Sequence, residues 1–216
     1  MLPGPTNVYH CPGCSKSILQ WTLASANSLG AKYYSDGRIK APDFPATVII
    51  TQCEDCGTIF WLDREIKVDE FEDDDFREDD ALKRDYYREQ GAWAEELDKE
   101  GWVKAIQKGA FRNPKEEIYL RKKLLWCLNE FFLENKGFLD AEDFLLRQEN
   151  ANNLIKLLDN TAQRDLLLIA ELHRNVGNFE SCLEVLDLVT EPDLQRMAYG
   201  IFKKCRVKDS KVFELG

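Results

Sequence analysis

Two cysteine pairs of identical spacing, Cys11-Pro12-Gly13-Cys14 and Cys53-Glu54-Asp55-Cys56, are the residues of this chain best suited to chemistry. A gap of two residues lets both thiolates of a pair turn toward one point, and two such knuckles facing each other complete a tetrahedral four-sulfur site. Four cysteines close the coordination shell, whereas a catalytic zinc keeps a position open and usually takes His or carboxylate ligands. The pattern therefore predicts one structural zinc ion per chain, held by Cys11, Cys14, Cys53 and Cys56. An iron-thiolate redox centre is the alternative that the same ligands allow. Gly57 after the second pair lets backbone N–H groups approach the sulfurs. Ser15 follows the first pair, so there the relief is expected from Gly13.

Positioning these thiolates requires strand, knuckle, strand. Residues 7–10 lead into the first knuckle and Ser17 to Leu23 leave it. The β-branched run Thr47 to Thr51 enters the second, and Thr58 to Leu62 leaves it. Residues 15–52 separate the knuckles, a long insertion in which Asp36-Gly37 signals a hairpin turn and Pro42 and Pro45 a rigid return. Residues 1–64 thus read as a small β-rich zinc ribbon. Residues 65–80, centred on Asp73-Asp74-Asp75, read as an acidic linker. A docking strip for a basic partner, anchored by Phe71 and Phe76, is the functional alternative.

From residue 81 to 216 the pattern is helical. Helices are expected over Ala81 to Leu97, Trp102 to Lys108, from Asn113-Pro114 onward, Ala141 to Leu158, Thr161 to Val176, Phe179 to Val189 and Leu194 to Cys205, with a partly ordered tail. In residues 170–186, Gly177-Asn178 makes a turn between two helices, Phe179 wedges between them, and Cys182 takes a small-residue slot where they approach. This is similar to the centre of a tetratricopeptide repeat. The fold class is accordingly α+β multidomain: a zinc ribbon, then an all-α tetratricopeptide-like domain.

The Cys-Pro-x-Cys knuckle at 11–14, the residues Ser25, Asn27, Gly30-Ala31 and Ser35-Asp36-Gly37, the second knuckle running into Phe60-Trp61, and the helix near Glu116-Glu117-Ile118-Tyr119 together resemble a group of bacterial proteins of unassigned function. These join an N-terminal four-cysteine zinc ribbon to C-terminal tetratricopeptide-like helices. The resemblance implies metal ligation by the four cysteines and a cytoplasmic protein. It brings no activity with it.

Composition narrows the function further. The chain of 216 residues has a formal net charge of −10. Residues 1–64 carry 5 basic and 5 acidic side chains, residues 65–112 carry 9 and 16, and residues 113–216 carry 15 and 18. No segment of that division holds the Lys and Arg surplus that phosphate binding needs, which argues against nucleic acid. No apolar run approaches the roughly 20 residues of a membrane span. The N-terminus lacks the basic and apolar regions of a secretory signal. Cys127, Cys182 and Cys205 are expected as helix core residues in a reducing compartment.

Elsewhere, chemistry is sparse. His10 reads as a surface residue, and His173 with Cys182 lacks the orienting group of a nucleophile pair. Ser25 to Arg38, with Asn27, Tyr33, Tyr34, Ser35 and Asp36, could line a small site, against turn capping by Asn27 and Asp36. Trp93, Trp102, Phe111 and Trp126 read as core around the leading helices. The expected function is a non-enzymatic zinc-binding adaptor whose helices bind a protein or peptide. A nucleic-acid-binding ribbon is the alternative.

Overall fold

The computed structural model describes residues 2–42, 47–72, 78–133 and 140–215. Phe44 and Pro45 of the expected rigid return, Asp73 to Asp75 and Phe76 lie outside the described residues. In chain order the elements are β1 (Leu2–Pro3), β2 (Thr6–His10), β3 (Ser17–Gln20), β4 (Leu23–Ser25), β5 (Lys32–Tyr34), β6 (Ile39–Lys40), β7 (Ile50–Gln52), β8 (Ile59–Trp61) and β9 (Asp69–Phe71). There follow α1 (Glu78–Gln90), β10 (Ala92–Trp93), α2 (Lys99–Gln107), α3 (Pro114–Leu133), α4 (Ala141–Leu157), α5 (Gln163–Asn175), α6 (Phe179–Leu186), α7 (Gln195–Arg206) and β11 (Glu214–Leu215). A strand-rich N-terminal region is followed by helices, a mixed α+β protein as the sequence predicts.

The chain forms two compact units whose limits differ from the expected modules 1–64 and 81–216. The first comprises residues 1–30 and 41–101, the second residues 31–40 and 102–216. Two local facts account for the difference. Residues 65–80 do not form a linker throughout: β9 pairs antiparallel with β2, Thr6 opposite Phe71, and Phe71 is buried against Val8 and Leu19. A single apolar residue in an acidic run is enough to seat the strand, because its side chain enters a core while Asp69 faces Lys83 (3.1 Å) and the Tyr87 hydroxyl. The other fact is the capture of β5 and β6 by the helical unit, through a buried polar network centred on Asp36 and Glu171.

In the first unit, the order β10-β3-β2-β9 forms one sheet, with β10 parallel to β3 and the others antiparallel. Both faces of the β2–β3 hairpin are covered. Val8 and Leu19, opposite each other in register, pack with Phe71 and Tyr87, while Tyr9 and Ile18 pack with Phe60, Leu62 and the buried cysteines. Burial on both faces explains why residues 17–20 lack a clean polar–apolar alternation. The expectation of helix throughout 81–97 fails at β10, where Ala94 N donates to Leu19 O at 2.7 Å and the segment continues the sheet.

In the second unit, α3 and α4 pack around Leu125, Ala151, Leu154, Leu168 and Leu172, and α5 to α7 around Ala170, Cys182, Leu186, Ile201 and Cys205. Asn113 caps α3 through its Oδ1, which accepts from Glu116 N at 3.1 Å, with Pro114 in the first turn. Helix α5 ends in a paired-bond C-cap: Asn178 N donates to His173 O (2.8 Å) and Gly177 N to Arg174 O (3.0 Å). Gly177 has φ +82°, open to glycine without strain. Cys182 is fully buried at the crossing of α6 with its neighbours, and Phe179 packs on the same cluster. The tail is ordered at β11, which pairs antiparallel with β5, Glu214 opposite Tyr34. No helix among the described residues is long and apolar enough to cross a membrane.

Candidate metal centre

Each knuckle sits at the end of a hairpin, the first between β2 and β3, the second between β7 and β8. The two turns repeat the same hydrogen bonds. Ser15 N donates to Cys11 O and Gly57 N to Cys53 O, both at 2.8 Å. Cys11 N donates to Lys16 O and Cys53 N to Thr58 O, both at 2.9 Å. Both turns also need a left-handed residue after the second cysteine: Gly57 has φ +69° and Ser15 φ +63°. Ser15 therefore adopts the conformation itself, while Gly13 contributes its N–H, 3.4 Å from Cys11 Sγ. A Cβ on Gly13 would meet Cys56 Sγ at 3.1 Å and collide with the Thr58 hydroxyl, so glycine is required by the closeness of the facing knuckle.

A serine at positive φ costs about 1 kcal/mol relative to glycine. Ser15→Gly is therefore expected to tighten the site about fivefold in a chelator competition, and unchanged or weaker metal retention would contradict the strain.

The four Sγ atoms all lie within 4.8 Å of one another. Cys11 Sγ is 3.5 Å from Cys56 Sγ, and Cys14 Sγ is 3.6 Å from Cys53 Sγ. Tetrahedral ligands ~2.3 Å from a metal stand about 3.8 Å apart, so these separations fit a four-thiolate site. Among the described residues this is the one group of three or more His, Cys, Asp or Glu side chains able to converge on an ion. The first cysteine of each pair is buried, the second exposed. Burial pushes the Cys11 thiol up to about 12. The Thr58 hydroxyl and backbone N–H bring Cys56 down to about 6. The cluster can hold a metal ion, and zinc and iron both accept a tetrahedron of four thiolates.

The segment Ser25 to Arg38 is divided between the units. Asn27 makes the expected Asx turn, its Oδ1 accepting from Leu29 N at 2.9 Å. Asp36 also caps its own turn, accepting from Arg38 N at 3.2 Å, with Gly37 at φ +77°. Beyond that, the hairpin β5–β6 is bound to the helices through a buried polar network. Asp36 is fully buried and accepts from Asn129 Nδ2 (2.9 Å), and its carbonyl accepts from Trp126 Nε1 (3.1 Å). Ser35 Oγ donates to Glu171 (2.7 Å). Glu171 also accepts from Asn175 (2.7 Å) and, twice, from Arg174 (2.8 and 2.5 Å). Arg147 joins Asn129 (3.0 Å) to the carbonyl of Asn175 (2.6 Å), and burial lowers it to about 10. Asp36, Arg147, Glu171 and Arg174 are charges of this network, and Arg38, 3.6 Å from Asp36 and paired also with Glu130, makes three of each sign. Together these bonds join the hairpin to α3 and α5 and α4 to both, a structural use for residues that could have lined a site.

The other candidates separate. His10 is exposed, and Cys182 lies in the apolar core. Of the aromatic residues, Trp102 is buried and packs edge-on with Tyr119, whereas Trp93 is 43% exposed in the other unit. They do not form one core.

Compared with protein-family models, with curated proteins and with solved structures, the chain matches none. Its likeness to ribbon-plus-helix proteins therefore rests on the motifs themselves.

Proposed function

We propose that the chain is a non-enzymatic, cytoplasmic zinc-binding adaptor. The four-thiolate centre supports its N-terminal unit, and tetratricopeptide-like helices bind a protein or peptide partner. The closed set of four converging sulfurs carries the reading: four thiolates fill a tetrahedral shell and leave an ion no vacant ligand position. Helical hairpins stacked in sequence are suited to partner binding, an inference from architecture rather than chemistry. The acidic balance of the chain favours a protein over nucleic acid.

Two measurements test it. Elemental analysis of the purified chain is expected to give one zinc per chain. A red, iron-loaded protein would support the redox alternative and remove this one. Affinity capture from native extract after nuclease treatment is expected to return a stoichiometric protein partner. Recovery of nucleic acid alone would overturn the adaptor reading.

A further inference from the structure

The tail of the helical unit reverses the charge of the chain locally. Residues 195–211 hold Arg196, Lys203, Lys204, Arg206, Lys208 and Lys211 against Asp209 alone, in a protein of net charge −10. The patch is masked in the sum over 113–216, which is acidic on balance.

Folding gathers part of that charge around a trough. A cavity of about 700 Å³ lies between α7 and β11, with Met197, Tyr199, Phe213 and Leu215 among its walls. A second, of about 480 Å³, is walled by the β5–β6 hairpin and by Leu167, Leu168 and Leu194, and the two share Tyr33 and Met197. Arg196 and Lys203 line the first, Lys122 and Arg164 the second. Other cations of the trough are already matched, Lys204 by Asp209 (2.9 Å) and Arg38 by Glu130. None of Arg196, Lys203, Lys122 and Arg164 has an ion-pair partner among the described residues. Tyr199 and Phe202 stand beside them 61% and 41% exposed, their rings stacked at 6.4 Å, with Lys203 Nζ 4.8 Å from the Tyr199 ring.

We propose that this trough binds an acidic peptide segment that carries apolar side chains. The inference rests on the adaptor reading and gives its partner a chemistry. Charge complementarity identifies the occupant: four unmatched cations surround an apolar floor on a protein that otherwise repels anions. The apolar walls take aliphatic or aromatic anchors, and the exposed aromatic pair supplies the contact area typical of peptide sites. Nucleic acid fits less well. Four cations neutralise only about four phosphates, fewer than the roughly 6–10 contacts that give a nucleic-acid binder its steep salt dependence. A uniformly charged backbone would also run over the wall carboxylates Asp165, Asp193 and Glu214, which a peptide can face with its apolar side chains.

The test uses the full, zinc-loaded chain and a fluorescein-labelled dodecapeptide of alternating Glu and Leu, read by anisotropy. Controls replace Glu by Lys, replace Leu by Ser, or substitute an oligothymidylate of equal length. The Glu-Leu peptide is expected to bind, to weaken at least about tenfold in the double variant R196E/K203E, and to weaken also in Tyr199→Ser. Both variants alter exposed positions, and zinc content and circular dichroism confirm that they fold. Failure of the Glu-Leu peptide to bind overturns the proposal. So does equal binding of the Lys-Leu or Glu-Ser peptide, indifference to both variants, or binding of the oligothymidylate in its place. The capture experiment uses the unaltered chain, so a captured partner with no Glu-Leu binding defeats this site and leaves the adaptor standing.

Discussion

Cys53→Ser is expected to remove the metal and unfold the first unit. Coordination of zinc by four thiolates contributes about 10–16 kcal/mol at neutral pH, as much as the whole stability of a typical domain at about 5–15 kcal/mol. The core it supports is small. Around the knuckles it consists of Tyr9, Cys11, Ile18, Cys53, Phe60 and Leu62, so two of its six buried members belong to the four-cysteine cluster itself. Metal content should fall from one per chain to near zero, and the amides of β2, β3, β7 and β8 should lose their protection from hydrogen exchange. Helices α3 to α7 contain no ligand and should keep theirs. Acid should act like the substitution. The ligands bind as thiolates, and the Cys11 proton, held up to about 12 without metal, returns as pH falls, so affinity weakens in that direction. Full zinc content in the variant, or protected strands without metal, would defeat the assignment.

Glu171→Gln is expected to destabilise the helical unit by about 3–5 kcal/mol. Its shape is unchanged, but the substitution leaves the Arg174 guanidinium buried without a counter-charge and replaces one acceptor of Ser35, Asn175 and Arg174 with a donor. Removing both members of the pair should hurt less than removing one, because the desolvated charge disappears with its partner. Glu171→Leu with Arg174→Met is therefore expected to be more stable than Glu171→Leu alone. An exposed pair supplies the contrast: Glu214→Gln breaks the Lys32 bridge, both partners of which are about half exposed, and should cost less than about 1 kcal/mol. Denaturant unfolding of the four variants decides the matter. A Glu171→Gln cost as small as that of Glu214→Gln would mean that the network does not hold the hairpin.

The two results bear on different distances along the chain, and so does what can be read from the sequence. The knuckles are legible because their geometry is local: spacing of two, a turn residue after each pair, and β-branched segments on either side. Even there Ser15 escapes a local reading, since only the repeated hydrogen bonds of the two turns show that a serine holds the left-handed position. Helix ends are legible for the same reason, at Asn113-Pro114 and Gly177-Asn178.

The unit limits were decided by pairings between remote residues. Asp36 signals a turn correctly, yet nothing near it reveals the bond to Asn129, 93 positions away, that buries it among helices. Phe71 is one apolar residue in a run of acids until β2 offers it a partner strand and a core. The cationic trough is a further case: Lys122, Arg164, Arg196 and Lys203 are scattered through 82 residues and become one surface only where the helices bring them around the same cavities. By itself the sequence determined the facing cysteine knuckles, the turns and the helix-forming stretches, because backbone preference and short-range spacing act within a few residues. Tertiary structure alone decided which unit each strand joined and which charges were left unmatched, because burial and ion pairing depend on neighbours the chain supplies from far away.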